Sequence, residues 1–254
     1  MTDLATRILV ERHTALFYTG QAGFIVKSAS GQLLGVDLYL SDCVERVEGH
    51  MGFKRLLPKV LSPTDLEFDV LIATHPHFDH LDLDAVPSMM ANHHTKLYAS
   101  VNCEMEVKRL HMTGENCIYV KAGDQAEVGD FHIAFVDCDH GTGAPDAFGV
   151  IIEVDKKTIY MAGDTSQHME WAEQLTERYS FDAVIGPING AYGNMDEAQF
   201  AEYAHALGGK ISIPCHYGMF ASHGGNPGRF LEIMKAHYPE DTVLLMRPGE
   251  KLAL

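Results

Sequence analysis

The stretch THPHFDH, residues 74–80, sets three histidines and one aspartate within six positions, directly after the apolar run Val70–Ala73. Imidazole nitrogens and carboxylate oxygens are the donors that hold first-row transition metals, and H-x-H-x-D-H brings four of them together locally. The chain carries 15 histidines in 254 residues. Multiplying its own His and Asp frequencies still gives chance odds of roughly a few in a thousand for this pattern, so composition is a poor explanation. Further donors stand where other apolar runs stop: FHIAFVD ends in CDHGTG with His140, TIYMAG in DTS with Asp164, and ISIPC in HYG with His216. Each alone reads as an ordinary cap or turn residue. Together with the first motif they point to a metal site on loops held by a rigid scaffold.

The elements that must position these donors are short. ALFYTG, GFIVKS and QLLGVDLYL form a meander separated by Gly-containing turns, and FDVLIAT is a buried strand. Helical spacing follows over Leu81–Asn92, interrupted by Pro87, then TKLYAS is a strand and Val101–Met112 a helix. In the second half NCIYV, FHIAFVD, AFGVIIEV and TIYMAGD read as strands. Helices are expected at His168–Tyr179, Asp196–Leu207 and Pro227–His237, interleaved with strands FDAVIGP, ISIPC and TVLLMRP. Two meanders, each trailed by helices, predict an α/β fold with two packed sheets and helices outside. No linker or low-complexity tract divides the sequence, so residues 1–254 are read as one domain.

Composition narrows the partners. At 46% apolar residues the chain can build a substantial core, and its formal net charge of −16 offers little to nucleic acid or an anionic membrane. The expected partner is a small molecule, with a homo-oligomer left open. The first residues lack a basic start followed by an apolar stretch, and no apolar run approaches ~18 residues, so a soluble cytoplasmic protein is expected. Five cysteines without a C-x-x-C pair suit a reducing compartment. Cys138 and Cys215 lie close enough to the donors to support them.

In order and spacing, H-x-H-x-D-H, a lone His, an Asp in a GDT-like turn and a final His resemble the metallo-β-lactamase superfamily. YTGQAGFIVKS, VDLYLSD, THPHFDHLD, GPINGAYGNMDEAQ and IPCHYGMF look like its L-ascorbate-6-phosphate lactonase-like branch. The resemblance implies a four-layer αββα sandwich with the metals in a cleft at one edge of the two sheets. It implies that His75, His77 and His140 hold one divalent ion, that Asp79, His80 and His216 hold a second, and that Asp164 bridges them. The donors suit Mn or Zn, and Fe also fits.

A water shared by two divalent cations becomes a nucleophile near neutral pH without a dedicated Ser or Cys, and Asp79 can orient it as well as ligate. The expected activity is hydrolysis of a small ester or lactone, with a phosphorylated sugar lactone favoured by the resemblance. The alternatives are a phosphodiesterase acting on a small cyclic or linear substrate, a di-iron redox protein, and a noncatalytic metal-binding protein. Beyond the ligands, Asn189, Tyr192 and Asn194 in GPINGAYGNMD, and Tyr217 and His223 after the last ligand, are candidate substrate contacts. GHMGFKRLLP supplies His50, Lys54 and Arg55, of which Arg55 is the candidate partner for a substrate phosphate. Turn chemistry, helix capping and a solvated basic face are the plain readings of these same residues.

Overall fold

Alternating apolar side chains decide how this chain layers. The computed structural model describes residues 2–254. In β1 (Ala15–Gly20) and β2 (Gly23–Lys27), Leu16, Tyr18, Phe24 and Val26 share one core with residues of a second sheet, while Ala15, Phe17 and Ile25 belong to another core on the opposite face. The first sheet continues through β3 (Leu33–Val36), β4 (Val70–Ala73), β5 (Lys96–Ser100) and β6 (Cys117–Val120). The second is built from β7 (Gln125–Val128), β8 (Phe131–Asp137), β9 (Phe148–Val154), β10 (Lys157–Met161), β11 (Ala183–Pro187) and β12 (Ser212–Cys215). A last strand, β13 (Lys251–Ala253), returns to pair antiparallel with β1, giving the orders β13-β1-β2-β3-β4-β5-β6 and β12-β11-β10-β9-β8-β7.

Helices cover both outer faces. α1 (Asp3–Val10), α3 (Val86–Met89) and α4 (Glu104–Arg109) bury Leu4, Ile8, Val86, Met89 and Val107 against the first sheet. α5 (Met169–Thr176), α6 (Glu197–Leu207) and α7 (Pro227–His237) cover the second through Ala172, Phe200, Leu207, Phe230 and Met234. The result is the expected αββα sandwich. The short α2 (Cys43–Glu48) lies instead beside Tyr39, Met219 and Phe220. Among the described residues, no helix is long and apolar enough to cross a membrane.

Strand direction gathers the chemistry. β3 to β6 run parallel, as do β10 to β12, and β8 is antiparallel to β9, which is antiparallel to β10. The ends of β4, β8, β10 and β12 therefore face one edge of the sandwich, the usual place for a site in a sheet of this kind. There the Phe148 N–H donates to the Thr74 carbonyl at 3.3 Å, linking the two sheets beside the first motif. Register is pinned by burial: in β8, Phe131, Ile133 and Phe135 are buried while His132 is exposed. Each such inward side chain stabilises by roughly 1.5–3 kcal/mol, so a one-residue slip that turned them outward is strongly disfavoured.

The structure departs from the sequence expectations at several elements. The helix expected over Leu81–Asn92 is only α3, with Pro87 at its start, and Val101–Met112 divides into a 3₁₀ turn, Val101–Cys103, and α4. TVLLMRP forms a single bridge to β12 rather than a strand. Ser212 N–H donates to Thr242 O and Leu244 N–H to Ser212 O, but the next donor in that parallel ladder would be Pro214, which has no N–H. The sequence reading also lacked α1, α2, β7 and β13, all short elements without a sustained hydrophobic period.

Candidate metal centre

Seven donor side chains converge at the common sheet edge. His75, His77, Asp79 and His80 occupy the loop after β4; His140 follows β8, Asp164 follows β10, and His216 immediately follows β12. Three donor groups form, His75–His77–His140, His75–His80–Asp164 and Asp79–His80–His216, with the atoms of each group within 4.8 Å of one another. The Asp164 carboxylate lies between the clusters: Oδ2 is 3.0 Å from His216 Nε2 and 3.8 Å from His140 Nε2, and Oδ1 is 3.5 Å from His80 Nε2. Asp79 Oδ2 lies 3.4 Å from His216 Nε2.

The donor set fits divalent cations. His77 Nδ1 faces both His75 Nε2 at 2.9 Å and His140 Nε2 at 3.1 Å. One ring nitrogen has a single lone pair or a single proton, so hydrogen bonding satisfies this trio poorly, whereas a cation satisfies all three. The buried Nδ1 of His140 has no hydrogen-bond partner among the described residues. Charge separates the histidines into two kinds. Burial pushes His75 well below the usual imidazole range, lowers His77, and pushes His140 down to about 4, leaving neutral donors. Burial also opposes charge on His80 and His216, but there the carboxylates outweigh it. Asp164, Asp37 and Asp79 hold His80 well above its ordinary value, and Asp164 and Asp79 hold His216 up to about 9. Three buried carboxylates thus demand positive charge at this point.

A supporting layer fixes the donors. The Asp37 carboxylate accepts from Thr74 N at 2.8 Å and from Thr74 Oγ1 at 2.7 Å, and meets His80 Nδ1 at 2.8 Å, which leaves His80 Nε2 for the cluster. Side-chain amides hold the two acidic ligands: Gln21 Nε2 donates to Asp79 Oδ2 at 2.8 Å, and Asn194 Nδ2 to Asp164 Oδ2 at 2.8 Å. Cys138 Sγ donates to the Asp164 carbonyl at 3.0 Å, and burial pushes its thiol pKa up, so the group serves as a donor. Gln21, Asp37 and His216 all adopt left-handed backbone, with φ of 56°, 48° and 60°. Such conformations persist in non-glycine residues only when their surroundings enforce them, and here His216 N–H donates to Gln21 O at 2.8 Å.

Gln21 is the most consequential residue that sequence reasoning missed. Besides Asp79, its Nε2 lies 3.1 Å from His216 Nε2 and 3.2 Å from His223 Nδ1, so the β1–β2 turn reaches three residues of the site. Gln21→Ala is expected to weaken cation binding by about 10–100-fold while the protein stays folded, because an orienting partner of a ligand is lost rather than a ligand. Metal titration with circular dichroism as the folding control checks this; unchanged affinity would remove the orienting role.

Above the donors lies a cleft of about 510 Å³, with His77, Asp79, His140, Asp164 and His216 on one side. Its lining also includes Val44 and Glu48 from α2, Met51 and Phe53 just beyond it, and Tyr192, Phe220 and His223 from the loops after β11 and β12, with His223 stacked on His216 at 5.0 Å. Burial, reinforced by the neighbouring Asp79, raises the Glu48 carboxyl pKa. Burial pushes His223 down to about 4, and its Nδ1 faces the Gln21 amide, which leaves the proton of the neutral ring on Nε2.

The remaining candidates have diverse places. Tyr192 and His223 line the cleft, Tyr192 at the exposed rim. Asn194 is turned to Asp164, and Asn189 accepts from Asn194 at 3.1 Å; both are buried behind the ligands. The Tyr217 hydroxyl donates to Met246 O at 3.5 Å. Arg55 is not brought to the cleft. Its guanidinium donates to Tyr39 O at 2.8 Å and Ser41 O at 2.9 Å and lies 4.0 Å over the Tyr39 ring.

A sequence profile described as "Beta-lactamase superfamily domain" matches residues 38–217, a span containing all seven donors. A "UPF0173 metal-dependent hydrolase" of Rubrobacter xylanophilus is 28% identical over 251 residues, covering 94% of this chain and 96% of its own. A protein of the same description from Myxococcus xanthus is 25% identical over 255 residues, covering 95% and 84%. Among solved structures, that of Igni18, "a novel metallo hydrolase" from Ignicoccus hospitalis, aligns with a TM-score of 0.74 at 23% identity, covering 95% of this chain and 98% of that one.

Proposed function

Since the chain belongs to the beta-lactamase superfamily and is a metal-dependent hydrolase of it, we propose that it cleaves a small ester or lactone at a site holding two divalent cations, Mn or Zn. The observation that carries the reading is the convergence of the three donor groups at one side of the cleft. His75, His77 and His140 would hold one cation, Asp79, His80 and His216 the other, with Asp164 between them. Bound there, the cations supply Lewis acidity and lower the pKa of water toward neutrality.

The protein's own groups supply orientation. His80 and His216 hold the Asp79 carboxyl far below the usual carboxylate range despite its burial, so it stays ionised. A carboxylate held that low is a weak base, so its part is to ligate and to orient the attacking water by accepting a hydrogen bond from it. Gln21 limits the rotation of that carboxylate, and His223, which lines the cleft, would donate to a substrate oxygen as charge develops. The aromatic wall excludes water beside the donors.

A phosphate away from the reacting bond, as on a phosphorylated lactone, would need a further cationic partner, whereas the reacting phosphate of a phosphodiester would lie at the cations themselves. Among the described residues, no Lys or Arg lines the cleft, and Arg55 is engaged elsewhere. That supports an unphosphorylated ester or lactone over a phosphorylated one. Chelation is expected to abolish turnover, and about two equivalents of Mn or Zn per chain to restore it. Metal analysis combined with assays on lactones, esters and phosphodiesters tests this. Fewer than about one bound cation per chain, with no turnover after loading, would overturn it.

A further inference from the structure

Beside the donors the cleft carries a continuous wall of rings. The Phe53 ring lies 6.1 Å from Tyr192, 5.9 Å from Phe220 and 5.8 Å from His223, all centroid to centroid. Tyr192 and Phe220 meet His223 in turn at 5.2 Å and 5.0 Å. Val44 and Met51 extend this surface along α2 and past its end. Phe220 is buried, whereas Tyr192 and Met51 remain more than half exposed at the mouth.

Charge on this wall is confined to Glu48, which offers no positive charge in either protonation state. Among the described residues, no Lys or Arg lines the cleft. Positive charge in the loaded cleft would therefore sit only at the reacting end, and an anionic group elsewhere on the substrate would lie against ring faces and a carboxyl. A cleft of about 510 Å³ is of the size that holds a small organic molecule.

We infer that the cleft selects an uncharged substrate whose non-reacting part is aromatic or branched aliphatic, seated on Phe53, Tyr192 and Phe220, and discriminates against phosphorylated substrates. This rests on the hydrolytic reading of the same site. Phe53 would be the principal specificity contact because it touches every other ring of the wall, and Glu48 would repel anions.

The test compares p-nitrophenyl esters whose acyl chain ends in a phenyl, a phosphonate or a trimethylammonium group, using metal-loaded protein. Calorimetry with the uncleavable phenyl-terminated ketone provides a readout independent of turnover. The phenyl ester is expected to exceed the phosphonate ester in kcat/KM by at least about tenfold. Phe53→Ala should raise KM for the phenyl ester by about tenfold with little change in kcat, and weaken ketone binding in parallel. Glu48→Lys should narrow the phenyl-to-phosphonate ratio by about tenfold, and it decides the matter should Phe53→Ala fail to fold. Preference of the unaltered protein for the phosphonate or ammonium ester would overturn the inference, as would an equal effect of Phe53→Ala on all three esters. Ketone binding that depends on Phe53, without turnover of any ester, would sustain the substrate class and sink the hydrolytic reading instead.

Discussion

Replacing Asp164 with alanine is expected to lower kcat/KM by on the order of a thousandfold or more and to reduce bound metal from about two ions per chain toward one. Its carboxylate reaches ligands of both halves of the site, meeting His216 at 3.0 Å, His80 at 3.5 Å and His140 at 3.8 Å. Its loss would remove the negative charge that the two proposed cations share, and it leaves His80 and His216 without their principal counter-charge. Asp164→Asn separates charge from shape, because an amide oxygen can still accept from Asn194. If charge is what matters, Asp164→Asn should lose most of the activity while unfolding normally. Full metal content and turnover in the alanine variant would exclude the bridging role.

Asp37→Ala should produce the largest combined effect on stability and metal affinity. The carboxylate is 2% exposed and serves two Thr74 donors and His80 Nδ1. Removing it strands buried polar groups, an expected cost of roughly 3–5 kcal/mol. It also frees the His80 ring, for a loss of about 10–100-fold in metal affinity. Asp37→Asn is informative because one amide oxygen cannot serve all three donors, Thr74 N, Thr74 Oγ1 and His80 Nδ1, that the two carboxylate oxygens share. An NH₂ turned toward His80 Nδ1 would move the ring proton to Nε2 and block ligation. Urea unfolding and metal titration of both variants measure the two effects separately; loss of stability with intact affinity would reduce Asp37 to a structural acceptor.

Local chemistry made much of the donor set readable. His75, His77, Asp79 and His80 stand within one turn of chain, and His140, Asp164 and His216 stand where apolar runs end. α7 was readable at its start because Asn226 caps it and Pro227 occupies its first position, and α6 at its start because Asp196 and Gln199 form a capping box. Gln21 was not readable as an orienting group. Locally it is a polar residue in a turn between Gly20 and Gly23, and its target Asp79 lies 58 positions away. Arg55 illustrates the converse: a basic cluster suggested phosphate, but folding brought Tyr39 and Ser41 to its guanidinium.

By itself the sequence determined the layering, through strand alternation and helix caps, and the seven donor side chains, through their types and their places at strand ends. These are nearest-neighbour properties, set by φ/ψ preference, side-chain period and the coordination chemistry of each residue. Only the tertiary structure decided what surrounds the donors. The Gln21 and Asn194 amides, the Asp37 carboxylate under His80, and the aromatic wall from Phe53 to Phe220 come from segments whose meeting depends on how two sheets pack across Phe24, Phe131, Phe135 and Phe148. That packing is a long-range sum of burial energies, and it is what turned a metal-binding sequence pattern into a cleft with a definite polarity.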